Sequence, residues 1–398
     1  MNIIEVHNLY KIFGKHREKA MGLIKQGYSK DQIMKKTGQT VAVNDVSFTV
    51  KEGESFVVMG LSGSGKSTLI RCLNRLIEPT SGSVFIEGQD VTAMDQRELQ
   101  DLRRQKISMV FQSFAIFPHK TVLENAAYGL KIRGLSLAER EKKAYKALEL
   151  VGLKGWEETY PAQLSGGMQQ RVGLARATAT EPDILLMDEA FSALDPLIRK
   201  EMQNELLELQ NKMNRTIVFI THDLDEALKL GDRIALMKDG SIVQVGTPEE
   251  ILMSPATNYV EKFVEDVDRS RVLTAEMVMK KPTAVVIIPK DGPRVALHSM
   301  QENGISSIFA VDKDRRLQGL VMAEDALQAV ENNKKELDKI LQRDVPVVLL
   351  DTPLKEIFAL LSGKSLPLAV VNEERKLLGV IVRGSVMSKL AEGRTVDD

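Results

Sequence analysis

Cysteine is almost absent: among 398 residues, Cys72 is the only thiol. One thiol forms no internal disulfide and no thiolate metal cluster, so a disulfide framework and a cysteine zinc site are both excluded. Cys72 is expected to be a small buried apolar side chain in a reducing compartment. Long apolar runs are missing too. No window reaches the roughly 18 apolar residues that a membrane span needs, so work at a membrane would require another subunit to hold the chain there. The opening MNIIEVHNLYK reads as a strand rather than as a secretory leader. Charge of one sign is also lacking. With 54 basic and 55 acidic side chains the formal charge is -1, which argues against a bulk electrostatic grip on nucleic acid. What remains is an ordinary charged composition on a chain too long for one core, so two or three domains are expected.

The most informative stretch is GLSGSGKST, Gly60 to Thr68. Ser55–Met59 before it (SFVVM) reads as a buried parallel strand, and LIRCLNRL after it reads as a helix. A glycine-rich turn between strand and helix is the context in which G-x-x-x-x-G-K-[ST] means a phosphate-binding loop. Gly60, Gly63 and Gly65 permit the tight turn that aims N–H groups inward, with Ser62 and Ser64 between them. The helix start at Thr68 adds unpaired N–H groups and the positive end of the dipole. Lys66 is placed to reach the β- and γ-phosphates, and the Ser67 hydroxyl to reach Mg²⁺.

Upstream, Ile3, Val6 and Leu9 suggest an edge strand ending near Phe13, and either Tyr10 or Phe13 offers a flat face to an adenine ring. Residues 15–40 are basic, with apolar positions that fit one or two short amphipathic helices inserted before a strand at Val41–Val50. That positive face is either solvated or a contact for an acidic lipid or partner surface. Downstream, Ile107–Gln112 reads as a strand whose terminal glutamine can coordinate Mg²⁺ or orient an attacking water. Ser113–Thr121 carries two phenylalanines in a surface loop. It is either a contact surface or packed on the helix expected at Val122–Leu130. Residues 137–152 read as a scaffold helix.

A second anion-binding arrangement follows. Leu164–Gln170 reads LSGGMQQ, and Ser165, Gly166 and Gly167 open a helix with free N–H groups and a hydroxyl. One chain rarely needs two such loops for one triphosphate, so the second points to a site completed across a dimer. Ile184–Glu189 is an apolar strand ending in two acids. Asp188 suits the Mg²⁺ shell, and Glu189 suits acceptance of a proton from the attacking water. Ser192–Asp195 comes next, then a helix at Leu197–Met213. Thr216–Ile220 is a buried strand followed by His222, which lies where ligands bind in parallel sheets and suits a γ-phosphate sensor.

Taken in order, these residues resemble an ABC-type ATPase over roughly residues 1–265. The resemblance implies an α/β P-loop fold: a RecA-like core, an antiparallel β subdomain carrying the basic insertion, and a helical subdomain at about 113–180. It makes Phe13 the adenine-stacking aromatic, Gly60–Thr68 the Walker A loop, Gln112 the Q-loop, and Leu164–Gln170 the signature including Gln169, with Met168 where glutamine is usual. Asp188 and Glu189 match Walker B and the catalytic glutamate, Ser192–Asp195 the D-loop, His222 the switch histidine. The family implication is a head-to-tail homodimer with MgATP between Lys66, Asp188 and Glu189 of one copy and Ser165 and Gly167 of the other. Its closure drives a membrane permease, which docks on the loop after Gln112. The insertion before VAVNDVSF, together with CLNRLIEPTSG, MVFQSFAIFPH and LLMDEAFSALDPLIR, further resembles the ATP-binding subunits of glycine betaine/proline importers. These work with a permease and a solute-binding protein at the cytoplasmic face of the membrane, with no nucleic acid involved. Choline, carnitine, proline or another quaternary amine are alternative solutes.

After Val264–Arg269 the chain changes character. SSIFAVDKDRRLQGLVMAEDAL at 306–327 aligns with SLPLAVVNEERKLLGVIVRGSV at 365–386, with Gly319 matching Gly379. Each copy carries a helix before the hairpin and one after it, and units this short should pack together. The repeat resembles a tandem CBS pair, an α+β regulatory module, expected at 266–332 and 333–395. Such modules bind adenine nucleotides or cyclic dinucleotides, or sense ions. The ribose-binding Thr/Ser and Asp positions of that family are here Met322 and Asp325 in one copy, Val382 and Ser385 in the other. That pattern favours cyclic di-AMP over simple AMP or ATP. A pair that only holds a dimer together is the alternative. Two further classes stand beside the transport ATPase: a soluble non-transport ABC ATPase, and a regulatory nucleotide-binding protein that hydrolyses little. The single motif set without a long coiled coil disfavours the first. Glu189 and His222 together disfavour the second.

Overall fold

The computed structural model describes residues 1–112, 115–192, 194–213, 215–265, 273–363 and 366–391. The chain divides into two compact units, Met1–Val267 and Asp268–Asp398.

The first unit begins with β1 (Asn2–Phe13), α1 (Arg17–Lys25), α2 (Lys30–Thr37), β2 (Thr40–Lys51), β3 (Ser55–Met59), α3 (Lys66–Leu73), β4 (Ser81–Ile86), β5 (Gln89–Asp90), α4 (Gln96–Gln105) and β6 (Ile107–Val110). It continues with α5 (Val122–Ile132), α6 (Leu137–Leu150), α7 (Gly166–Ala179), β7 (Ile184–Asp188), α8 (Pro196–Met213), β8 (Thr216–Thr221), α9 (Leu224–Leu230), β9 (Arg233–Lys238), β10 (Ser241–Gly246), α10 (Pro248–Met253) and α11 (Asn258–Val264).

Among the described residues these strands form two sheets, ordered β2-β1-β4-β5 and β10-β9-β3-β8-β7-β6. The first is antiparallel, and β1 is not the edge strand its sequence suggests: it pairs with β2 on one side and β4 on the other. Its apolar residues are enclosed on both faces, Ile3 and Ile4 as well as Val6, Leu9 and Ile12, as suits an interior strand. In the second sheet β9, β3, β8, β7 and β6 run parallel. Every residue of β3, β7 and β8 is buried, which explains their largely apolar, non-alternating sequences. Phe48 of β2 stacks on Phe56 of β3 with ring centroids 5.0 Å apart, so one core serves both sheets.

The inserted hairpin is two helices. Ile12, Ala20, Ile33 and Val41 form its own small core, with Met21, Leu23, Ile24 and Tyr28 around it. Ser29 and Gln32 close a capping box at the start of α2. Beyond β6, α5, α6 and α7 pack on one another, and α5 and α6 each start on a capping box, at Thr121 and Ser136. Of the loop between β6 and α5, Ser113 and Phe114 lie outside the described residues. Phe117 is half-buried and tilts against Tyr128 of α5 at 4.4 Å. Buried Asn125 accepts from the Phe117 N–H at 2.8 Å and donates to its carbonyl at 3.1 Å. This phenylalanine therefore belongs to local packing, not to an exposed apolar surface.

The second unit contains α12 (Ala275–Val278), β11 (Val285–Ile287), α13 (Pro293–Asn303), β12 (Ser307–Val311), β13 (Leu317–Met322) and α14 (Ala323–Glu331). These are followed by β14 (Val347–Val348), α15 (Leu354–Gly363), β15 (Leu368–Val371), β16 (Leu377–Ile381) and α16 (Arg383–Ala391). The two halves repeat one plan: β11 is parallel to β12 and β12 antiparallel to β13, as β14 is to β15 and β15 to β16. The copies pack together. Phe309, Val311, Leu317 and Leu320 share a core with Val345, Ala369, Val371 and Leu377. Their hairpin turns exchange hydrogen bonds reciprocally, Leu317 N–H to Arg375 O at 2.9 Å and Leu377 N–H to Arg315 O at 3.0 Å.

Candidate nucleotide site

Parallel strands end on the same edge of a sheet, and that edge is where open α/β sheets bind ligands. Here β3 delivers the loop Gly60–Gly65, β7 delivers Asp188 and Glu189, β8 delivers His222, and the turn after β6 carries Gln112. β6 stops at Val110 and β7 at Asp188, so Gln112 and Glu189 both stand just beyond the strands in which the sequence placed them. Glu189 has a φ of 46°. A non-glycine residue in this left-handed region is a strained position of the kind found at functional sites.

The glycines of the loop are dictated by close approach. A Cβ on Gly60 would run into the Met237 carbonyl, and one on Gly65 into the Ala42 carbonyl, both at positive φ. Lys66, 4% exposed, lies in this cradle. Its ammonium donates to Gly60 O at 2.9 Å and Leu61 O at 3.1 Å and stands 3.6 Å from Glu189. Burial holds that ammonium below the ordinary lysine value, against the opposing pull of Glu189 and Asp188. Glu189 is the hub. Gln112 Nε2 donates to it at 3.3 Å and to Ser192 Oγ at 3.4 Å, and His222 Nδ1 stands 3.5 Å from it. Ser192 donates to the Glu189 carbonyl at 2.9 Å. Asp195 caps α8, and Ala193 lies outside the described residues.

Asp188 is 1% exposed, and its Oδ2 accepts from Arg71 Nε and Nη2 at 3.2 and 3.0 Å. Its Oδ1 is buried without a partner, as is the Ser64 hydroxyl. An orphaned carboxylate oxygen, together with the oxygen donors that Ser67 and Gln112 offer, is a donor set whose chemistry fits a hydrated Mg²⁺. The orphaned Ser64 hydroxyl and the glycine cradle fit phosphate.

Two groups of expected residues are not joined to this cluster by any hydrogen bond among the described residues. Ser165 accepts from Met168 N–H at 3.3 Å and so caps its own helix α7, while Gln169 donates to the carbonyls of Pro161 and Leu164. Gly167 needs to be glycine because a Cβ would meet Ile198 Cγ2 at 2.6 Å. Phe13 ends β1 with 41% of its surface exposed, and the Lys11 ammonium lies 5.0 Å from its ring centre. Tyr10, the other aromatic considered, is instead hydrogen-bonded to Asp45. Three residues at the site escape the motif reading. Arg71 stands one helical turn beyond Ser67, where the spacing alone could have suggested a partner for Asp188. Lys30 Nζ donates to Gly63 O at 3.0 Å. Tyr259 of α11 hydrogen-bonds the Leu61 backbone and lies under Lys238, 4.7 Å from ring centre to ammonium. In the second unit, the Ser385 hydroxyl is spent on its own turn, accepting from Val382 N–H and donating to Val382 O. Met322 precedes α14 without capping it, and Asp325 lies in its first turn.

A model of the ABC transporter family matches residues 43–192, and a CBS domain model matches twice, at 275–332 and 337–392. The chain is 57% identical over 391 residues to the glycine betaine/carnitine transport ATP-binding protein GbuA of Listeria monocytogenes, covering 98% of each. It is 57% identical over 388 residues to the glycine betaine transport ATP-binding protein OpuAA of Bacillus subtilis, covering 98% of this chain and 92% of that one. Among solved structures, the dimeric ATP-binding cassette MJ0796 in a post-hydrolysis state with ADP and Pi aligns at 33% identity and a TM-score of 0.53, over 62% of this chain and 98% of that one. Fold and site together define a transport-coupled ABC-type ATPase, with a RecA-like core, a helical subdomain and a CBS module. Within that class the chain belongs to the glycine betaine/proline osmoprotectant importer family of ABC transporter ATP-binding subunits, those with tandem CBS domains.

Proposed function

We propose that this chain hydrolyses ATP in a head-to-tail homodimer and thereby powers uptake of glycine betaine, with regulation through its CBS pair. The observation that carries the chemistry is the convergence of Lys66, Gln112 and His222 on Glu189 at the strand-end edge of one sheet. Glu189 is the general base: its carboxylate takes a proton from the attacking water. His222 and Gln112 hold that carboxylate and the water in line, and Lys66, released from the Gly60 and Leu61 carbonyls, neutralises the β- and γ-phosphates. Ser62, Gly63, Ser64, Gly65 and Thr68 supply the surrounding loop and helix-start donors, and Phe13 the base-stacking face. Ser67, Asp188 and Gln112 would hold Mg²⁺, which when bound offsets phosphate charge. Ser165, Gly166, Gly167 and Gln169 serve the second copy's nucleotide. That Ser165 and Gln169 hydrogen-bond within their own segment, and not to Lys66 or Glu189 of the same copy, supports that assignment.

The solute reading rests on the relatives' names, glycine betaine/carnitine for GbuA and glycine betaine for OpuAA. A membrane permease and a solute-binding protein are the partners this implies, and the chain works peripherally at the cytoplasmic face of the membrane. No helix among the described residues is long and apolar enough to cross a membrane. Residues 1–265 form the nucleotide-binding domain, 266–332 and 333–395 the two CBS repeats. Cyclic di-AMP is the proposed regulator, supported by the Ser385 hydroxyl being already used by its own backbone and so unfit for a mononucleotide ribose.

Glu189→Gln tests the chemistry. It should reduce ATP turnover by at least about 100-fold while ATP binding persists and dimers accumulate on size exclusion. Turnover at the parent rate would place the base elsewhere. Competition of glycine betaine, carnitine and choline for uptake by the reconstituted importer tests the solute.

A further inference from the structure

The outer face of the phosphate loop carries an uneven set of hydrogen bonds. Gly60 O and Leu61 O accept from Lys66. Ser64 O accepts from the Gly240 N–H at 3.1 Å, a backbone contact from the β9–β10 turn. Gly63 O accepts from Lys30 Nζ at 3.0 Å. Lys30 comes from the inserted hairpin, outside both sheets. It is also a local rule-breaker. As the first residue of α2, following the N-cap Ser29, it puts a positive charge at the positive end of the helix dipole. A side chain so placed requires an acceptor elsewhere, and local rules are broken where function demands it.

We propose that Lys30 is a positioning residue for ATP binding, through which the inserted hairpin braces the phosphate loop. The inference rests on the reading of residues 60–68 as a triphosphate cradle. The peptide plane between Gly63 and Ser64 is gripped at both ends: its N–H donates to Leu61 O at 3.2 Å and its carbonyl accepts from Lys30. That fixes the crest of the loop, where Gly63 has a φ of 77° and no side chain of its own to pack. When Lys66 turns to the phosphates, the Gly60 carbonyl loses its lysine donor and the Leu61 carbonyl keeps only the Ser64 N–H. The Lys30 and Gly240 contacts are then what keeps the loop's amides aimed inward. Lys30 is itself held in place, because α2 is capped by Ser29 and Gln32 and its hairpin is seated on Ile12 and Val41. The insertion leaves the sheet just after Phe13 and returns its second helix to the phosphate loop, so it ties together the two ends of the proposed nucleotide seat.

The test compares four variants of the full chain, Lys30→Met, Lys30→Arg, Lys35→Met and Lys66→Ala, by titration with a fluorescent ATP analogue in Mg²⁺ and by ATPase kinetics. Lys35 is on the same helix, is exposed, and makes no hydrogen bond or ion pair among the described residues, so Lys35→Met removes an equal charge without touching the loop. Loss of a charged hydrogen bond at a half-exposed site should raise Kd and KM about 3- to 10-fold in Lys30→Met. There kcat should stay within about twofold of the parent, with an unchanged thermal midpoint. Lys30→Arg should recover most of the affinity and Lys35→Met should bind as the parent does. Parent-like binding by Lys30→Met, or equal weakening by Lys35→Met, overturns the brace. If Lys66→Ala has lost binding in the same experiment, the cradle reading stands and the brace alone has failed. If Lys66→Ala binds as the parent does, the cradle reading itself is wrong.

Discussion

Asp188 and Arg71 illustrate how the site is held at the level of single residues. A carboxylate with 1% exposure is costly unless paired, and Arg71 supplies two donors to one of its oxygens while the other is left open. The pair thus leaves the second oxygen, Oδ1, buried and without a hydrogen-bond partner. Removing the guanidinium leaves a buried charge uncompensated. Arg71→Met should therefore lower stability by about 3 kcal/mol, the low end of what breaking a buried pair costs, since Arg71 is 41% exposed. Urea unfolding would measure this, and saturating MgATP should restore part of the loss by binding the native state. An unchanged urea midpoint would mean that water replaces Arg71 fully. Cys72 shows the opposite economy. Burial pushes its thiol up to about 12, so it is the inert apolar side chain its isolation in the sequence suggests.

At the level of elements, the paired glycines of the second unit look equivalent in sequence but are not equivalent in packing. Gly319 in β13 is approached by a backbone atom, and an added Cβ would meet Gln342 O at 2.6 Å and Leu341 Cγ at 2.7 Å. Gly379 in β16 is approached most closely by Met279, whose Sδ and Cγ can swing away by rotamer change while its Cβ, 2.9 Å from the added carbon, moves only with the backbone. Gly319→Ala should therefore destabilise the unit by about 2–3 kcal/mol and Gly379→Ala by less, about 1–2 kcal/mol. Equal losses in chemical denaturation would show that the two halves relax alike. Elements of the first unit were legible wherever one periodicity governed. The largely apolar, fully buried β3, β7 and β8, and the capped helices α5 and α6, are written plainly in the chain. β1 was misplaced as an edge because its neighbour β4 lies beyond three intervening helices and two strands, and such pairing leaves no local mark. Phe117 was legible as an aromatic in a loop, but Asn125 and Tyr128, which bury it, act through tertiary contact.

For the whole molecule, two compact units on one chain predict two unfolding events. Calorimetry of the full chain should resolve two transitions, and MgATP at about 100 times its Kd should stabilise one of them by about 2.7 kcal/mol while leaving the other in place. A single transition moved as a whole by MgATP would mean that the units unfold as one. What the sequence alone determined is the chemistry: the loop Gly60–Thr68, the acids Asp188 and Glu189, Gln112, His222 and the Ser165–Gly167 helix start are each set by residue type at a local spacing. The tertiary structure decided their company. That Glu189 is the hub, that Arg71 holds Asp188 and that Lys30 reaches Gly63 depend on which strand lies beside which and where an inserted hairpin folds back. Those are long-range matters of sheet order and side-chain reach, and local spacing does not encode them.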